Sequence, residues 1–416
     1  MKLFIRIRII QLIFHGKIFL NGRVNFTILQ NETIVENKQV KKILIIMGRY
    51  LPGYKEGGPV RSTKNLVDQL GNEYDIRVAC YDRDSGDKEQ YSNIKLFEWN
   101  NVGNGLVYYV PEKGFTIRVI LDLAKQVDII YMWGCLNTYT IKILALKRIG
   151  IAKNKVVVAS MGLFSPKAFR IKYLKKKIVV SMMNFMGFFR NVYWSVTSEM
   201  EKNELQQQVW AKDEKIYIAE DLPRIVNSEA IKKAKNPAEL KVVWISRIAP
   251  KKNLSKAIEI LEKCKASIEF TIYGPIFDEE YWKLCQNKLS NLPPNIKWEW
   301  KGNLDSEKVV ETLKGYHVFL FPTLGENFGH VIQEALSAGC PCIISDQTPW
   351  QDLYEKNAGY VGALDNINGF VQELEKYAAM NQSEYDFYCN SALDYVVQKS
   401  QESIKNTGYR KIFDES

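Results

Sequence analysis

A chain of 416 residues is too long for one hydrophobic core and suits two domains of ordinary size. Its 46% hydrophobic and 25% charged composition, with no low-complexity tract or internal repeat, is that of a soluble globular protein and excludes disordered, collagenous and repeat architectures. The formal net charge of +10 favours anionic partners such as phosphates or acidic lipid and leaves the fold undetermined.

The stretch from Met1 to Val24 is apolar but carries Lys2, Arg6, Arg8, Lys17 and Arg23. Its longest uncharged run, Ile9 to Gly16, falls far short of the roughly 20 residues that a membrane span needs. It has no small-residue cleavage site and no acid before Glu32. Residues 1–40 therefore read as an extension outside the fold, or as a basic anchor lying on a membrane surface. Seven cysteines, Cys80, Cys135, Cys264, Cys285, Cys340, Cys342 and Cys389, are scattered without a Cys-x-x-Cys pair. They read as reduced, mostly buried thiols of a cytosolic protein and not as a disulfide or zinc framework.

The ordered chain is expected to begin at Lys41. Lys42 to Met47 is a short continuous apolar run, the signature of a buried parallel strand. A glycine- and proline-rich loop, Gly48 to Pro59, follows, and then a helical pattern from Val60 to Leu70. Strand, glycine loop and helix open a doubly wound domain. Ile76–Cys80, Val107–Val110, Val127–Met132 and Val156–Ala159 continue as buried strands with helical segments between them.

A second copy of this rhythm starts near Leu240. Val242–Ile245 is a strand, Leu254–Lys263 a helix, and Glu269–Tyr273, Ile296–Trp300, Val318–Phe321 and Pro341–Ser345 are further strands. The boundary falls between Asp221 and Pro237, which gives an N-terminal domain over 41–222 and a C-terminal domain over 223–416, with a last helix able to pack back on the first domain. The predicted fold class is α/β: two doubly wound, Rossmann-like domains facing a cleft, where ligands of such sheets bind.

The sharpest chemical signal lies between Pro322 and Pro341. Here a strand ends in a turn holding Glu326, a helix starts near Gly329, and Glu334 follows about one turn in. Free N–H groups at a helix start bind phosphate, helped by the helix dipole, and carboxylates accept hydrogen bonds from vicinal hydroxyls. This segment resembles the E-x7-E signature of the retaining GT-B glycosyltransferases of family four, and the resemblance runs from about Lys41 to Ala378. It implies that Glu334 binds the donor ribose and that Glu326 contacts the transferred sugar. It also sets Phe328, Gly329 and His330 against the sugar and diphosphate.

Ser246 to Leu254 resembles the family's G-R-x-x-x-x-K-G pattern, with Ser246 and Asn253 where glycines stand. Arg247 and Lys252 then hold the diphosphate and, with Glu326, form the expected catalytic set; two fixed cations neutralise charge developing on the leaving group. Gly57 and Gly58 match a glycine pair near the donor phosphate and acceptor, where a missing side chain lets backbone approach an anion. Tyr273 and Gly274, and Gly302 after Trp300 and Lys301, resemble turns around the nucleobase. Thr197 to Glu201 reads as a plain helix N-cap. The wider run from Tyr50 to Arg61 resembles members that act in bacterial surface-polysaccharide synthesis, capsule and lipopolysaccharide among them.

One departure stands out. The family's N-terminal histidine loop is replaced by Tyr131 to Cys135, and the only histidines are His15, His317 and His330. Asp82-Arg83-Asp84 resembles a manganese motif but follows an early strand, and it reads as a solvated turn; no metal and no cofactor are expected. Pro166 to Arg190 combines Lys167, Arg170, Lys172, Lys175, Lys176, Lys177 and Arg190 with many apolar residues and no acid, a composition suited to an anionic bilayer. The expected partners are a UDP- or GDP-sugar donor, a glycan or lipid-linked acceptor and an anionic membrane surface, with no nucleic acid. The expected location is cytoplasmic, peripheral on the inner face of the cell membrane. The alternatives are a non-catalytic nucleotide-sugar-binding protein and a sugar-nucleotide epimerase on the same fold.

Overall fold

The computed structural model describes residues 40–170, 173–226 and 232–415. The extension assigned to 1–40 therefore lies, but for Val40, outside the described residues.

The first sheet has eight strands: β1 (Lys42–Ile46), β2 (Asp75–Tyr81), β3 (Trp99–Val102), β4 (Gly105–Val110), β5 (Ile129–Trp133), β6 (Lys155–Ala159), β7 (Tyr193–Val196) and β8 (Ile216–Ile218). Their order is β3-β4-β2-β1-β5-β6-β7-β8. Only β3 runs antiparallel, a polar edge strand paired to β4 through Asn100 and Asn101. Helices α1 (Gly58–Leu70), α2 (Ile117–Ala124), α3 (Thr138–Arg148), α4 (Pro166–Arg170), α5 (Tyr173–Phe185) and α6 (Glu199–Gln206) connect them. Strands β1 and β5 are buried along nearly their whole length, because a parallel sheet covered on both faces leaves no wet side.

The second sheet has six strands: β9 (Glu239–Ile245), β10 (Ser267–Tyr273), β11 (Ile296–Trp300), β12 (Val318–Phe321), β13 (Cys342–Ser345) and β14 (Gly359–Gly362). All are parallel, in the order β11-β10-β9-β12-β13-β14. Helices α7 (Leu254–Leu261), α8 (Glu279–Ser290), α9 (Val309–Leu313), α10 (His330–Ser337), α11 (Ile367–Ala379) and α12 (Gln382–Lys405) complete this half. Each sheet reverses direction at its first strand. β1 has β2 on one side and β5 on the other, and β9 likewise separates β10 from β12. The crevice beyond the carboxyl ends of those strands is where doubly wound sheets bind ligands. The loops that open there are the glycine loop after β1 and the motif loops after β9 and β12.

The chain then crosses back. The last helix, α13 (Gly408–Asp414), packs on the first sheet, with Tyr409, Ile412 and Phe413 buried among Ile43, Ile45 and Tyr131. A Cβ at Gly408 would lie 1.9 Å from the Ile218 carbonyl oxygen, so only glycine lets the chain cross this close to β8. Lys41 Nζ donates to the carbonyls of Phe413 and Asp414, both at 2.9 Å, and Lys155 Nζ to that of Ile412 at 2.6 Å. These cations satisfy the open carbonyls of a helix end and oppose its dipole. All seven cysteines are free and buried.

Because the Phe413 ring fills the first domain's core, Phe413→Ala should lower stability by about 3–5 kcal/mol. Denaturant unfolding checks this, and an unchanged midpoint would show that α13 is dispensable to the domain it covers.

Candidate functional site

After β9 the chain turns through a single 3-10 turn, Pro250–Lys252, into α7. Asn253 joins the two with φ 56° and ψ 41°, the left-handed conformation that asparagine tolerates better than most residues. That is how it replaces a glycine here. Its amide also donates to the Pro322 carbonyl at 2.8 Å, tying this loop to the end of β12. The Arg247 guanidinium carbon lies 4.9 Å from the centroid of the Phe277 ring.

The loop after β12 meets Lys252. Its ammonium donates to Glu326 Oε1 at 2.6 Å, and the Thr323 hydroxyl stands 3.1 Å from the same oxygen. Gly329 caps α10 with φ 83°, where a Cβ would press to 2.8 Å on Ile332 Cδ1. Trp350 Nε1 holds the Phe328 carbonyl at 2.6 Å, and the Phe328 ring packs between His330 and Trp350. Glu334 sits one turn into α10 and is buried. Glu326, Lys252 and the first turn of α10 thus form one cluster beyond the switch-point strands.

The first domain supplies the opposite wall. Gly57 has φ 69° and caps α1, and a Cβ at Gly57 or Gly58 would meet nothing within 4 Å. From α1, Arg61 Nη1 donates to Glu334 Oε2 at 2.8 Å, and Ser62 Oγ lies 3.0 Å from His330 Nε2. One and two turns on, Asn65 and Gln69 donate to the carbonyls of Leu222 and Pro223 in the linker. Burial raises the pKa of Glu334, and Arg61 opposes that by charge and hydrogen bond. Burial, with Arg61 adding to it, lowers the pKa of His330 to about 3, so its ring is neutral near pH 7. Asp221 is raised to about 6 by burial, against a hydrogen bond from Ser62.

Gly274 brings three strand ends together. Its φ is 139°, its N–H donates to the Gly302 carbonyl at 2.7 Å, and its own carbonyl accepts from Trp300 Nε1 at 3.0 Å. The Tyr273 side chain faces the domain core, its hydroxyl 3.0 Å from that of Tyr316, so this position can offer a ligand only backbone.

One expectation needs correction. Asp82 and Asp84 do not form a solvated turn: both are buried, and Asp84 accepts from the N–H groups of Tyr54, Lys55 and Ser85, which pins the glycine loop. Among the described residues no three His, Cys, Asp or Glu side chains are grouped to hold a metal. Ser198 caps α6 as expected, and Glu201 in its first turn has a further role. Buried, it accepts from Ser160 Oγ, Gly162 N–H, Thr197 N–H and Thr197 Oγ1, and so fixes the loop after β6.

Sequence reasoning also passed over Arg61, Ser62 and Glu56. Glu56 precedes the glycine pair, and burial raises its carboxyl while Arg49 pulls it down. The available signal was polar residues at helical spacing, Arg61, Asn65 and Gln69, on a face that should otherwise be apolar or solvated. The basic segment folds as α4 and α5. Leu174, Ile178, Met182 and Phe185 are exposed in a row along α5, with Phe185 at 85% and Trp210 nearby at 73%.

Two parallel-sheet α/β domains with their switch-point loops in this arrangement define the GT-B fold. HepE from Anabaena, in complex with UDP and glucose, shares it with a TM-score of 0.61 at 14% identity, over 88% of this chain and 98% of its own. WaaG, a glycosyltransferase involved in lipopolysaccharide biosynthesis, gives 0.60 at 13% identity, over 89% and 99%. A UDP-forming alpha,alpha-trehalose-phosphate synthase from Burkholderia xenovorans, in complex with glucose-6-phosphate, gives 0.64 at 10% identity, over 90% and 100%. At such identities the likeness establishes the fold. A search of curated protein sequences gives no match. Residues 226–392 match the family described as glycosyl transferases group 1. That span contains Arg247, Lys252, Glu326 and Glu334, and the protein is a glycosyltransferase.

A Cβ at Gly274 would stand 1.7 Å from the Ser246 carbonyl oxygen. Gly274→Ala should therefore destabilise by more than the roughly 1–3 kcal/mol of a strained backbone alone. Gly58→Ala, in open space, should melt like the parent. Thermal unfolding of both variants checks the contrast.

Proposed function

We propose that the protein moves a sugar, with retention, from a UDP- or GDP-sugar to a lipid-linked glycan acceptor in surface-polysaccharide synthesis. The observation that carries the reading is the convergence of Lys252, Glu326 and Glu334 at the start of α10, opposite Gly57 and Gly58. In this reading Glu334 accepts from the ribose and Glu326 orients the transferred sugar. Arg247 and Lys252, with the N–H groups of the α10 start, hold the diphosphate. Their charges act most strongly as the bond to the sugar breaks, so the leaving group departs as an anion without needing a proton. The departing phosphate oxygen can then take the acceptor's proton on the donor's own face, and no protein base is required. HepE bound to UDP and glucose, on the same fold, supports a uridine nucleotide among the candidates. The group 1 match disfavours the non-catalytic and epimerase readings.

The acceptor's lipid is supported by α5. Its exposed row of Leu174, Ile178, Met182 and Phe185 is flanked by Lys175 and Lys177, also exposed. Apolar side chains that enter the headgroup layer beside lysines that meet anionic lipid make a peripheral docking face. Among the described residues no helix is long and apolar enough to cross a membrane.

Incubation with a panel of nucleotide sugars, following free nucleotide, tests the reaction class. Glu326→Ala, Arg247→Ala and Lys252→Ala should each cut turnover far more than stability. Glu334→Ala should weaken nucleotide binding, since each lost hydrogen bond to a charged group costs about 1.5–3 kcal/mol. Unchanged affinity by calorimetry would remove the ribose assignment.

Changing Lys175, Lys176 and Lys177 together to glutamate should release the protein from acidic vesicles. Each lysine near an anionic surface is worth about 1 kcal/mol, and high salt should mimic the change. Flotation of a variant beginning at Lys41 must leave binding intact. Loss of binding there would move the anchor to the extension.

A further inference from the structure

Helix α1 belongs to the first domain, yet its Arg61 is bonded to a carboxylate of the second. Loss of water drives a buried carboxyl toward its neutral form, and a contacting cation or hydrogen-bond donors must restore the charge. The groups facing Glu334 are few. Arg61 gives the largest opposing influence to burial, and Arg224 in the linker gives a smaller one. His330, one turn back, is buried and neutral near pH 7, and Asp221 lies beyond Ser62. Among the described residues the second oxygen of Glu334, Oε1, accepts no hydrogen bond.

We infer that Arg61 is a positioning residue for the donor nucleotide. Its ion pair fixes Glu334 with Oε1 left to accept a ribose hydroxyl, so nucleotide recognition by the second domain depends on a cation supplied by the first. The inference rests on Glu334 as the ribose acceptor and adds a condition to it. A neutral carboxyl carries a proton of its own and is a poorer acceptor for a diol. When the domains part, Glu334 loses Arg61, its charge becomes costly, and its hold on ribose weakens. Donor affinity and domain closure are thereby the same event. A side chain that merely glues the domains would affect stability and leave the pH dependence of binding where it is.

The test is calorimetric titration with UDP and with GDP over a pH series, on the wild type, Arg61→Met, Arg61→Lys and Glu334→Ala. Arg61→Met should move the acid limb of nucleotide binding upward by about 1 pH unit, because a contacting opposite charge lowers a carboxyl pKa by about that much or more. Arg61→Lys, which keeps the charge, should hold the wild-type midpoint. If Arg61→Met melts too early to titrate, Arg61→Gln keeps a donor toward Oε2 without the charge and should show the same upward shift. An acid limb that does not move in the uncharged variant, while Glu334→Ala weakens binding, overturns the role of Arg61 alone. Unaltered binding in Glu334→Ala overturns the ribose assignment and this inference with it.

Discussion

Glu334 is a carboxylate buried at a seam, and the arrangement around it follows from the need to compensate that charge. A lone buried charge is expensive, and removing one member of a buried pair costs several kcal/mol, far more than the pair itself contributes. Its compensation comes from Arg61, across the cleft. The partner's position constrains α1, whose neighbouring Ser62, Asn65 and Gln69 then meet His330 and the linker. The seam around Glu334 is therefore polar, held by an ion pair and side-chain hydrogen bonds.

Lys252 and Glu326 show the same economy within one domain. Each loop alone would place an exposed charge at the end of a strand. Their contact, with Thr323 beside the carboxylate and Asn253 tying the two loops, holds them before any ligand arrives. Preorganised groups of this kind do not have to reorient as charge develops, which is the usual source of electrostatic catalysis.

Much of this was legible from local chemistry. Short apolar runs followed by glycine loops gave the two doubly wound halves, because a parallel strand buried on both faces cannot hide its composition. Glu326, Glu334, Arg247 and Lys252 were marked by resemblance to family motifs at strand ends; Lys252 and Glu326 are in contact, and Glu334 lies one turn into the following helix. What escaped was non-local. β3 is a polar edge strand of four residues, and β7 and β8 have four and three, too short for periodicity to register. The burial of Asp84 depends on a loop 30 residues away. Arg61 pairs with a residue 273 positions later, and no window on the sequence spans that distance.

The return of the chain through α13 has a mechanical meaning. The backbone passes between the domains twice, once through the linker before β9 and once between α12 and α13. A single tether would let one domain swivel freely about it. Two crossings restrain the domains relative to one another more than one would. At the second crossing Gly408 is seated against Ile218, where no side chain would fit.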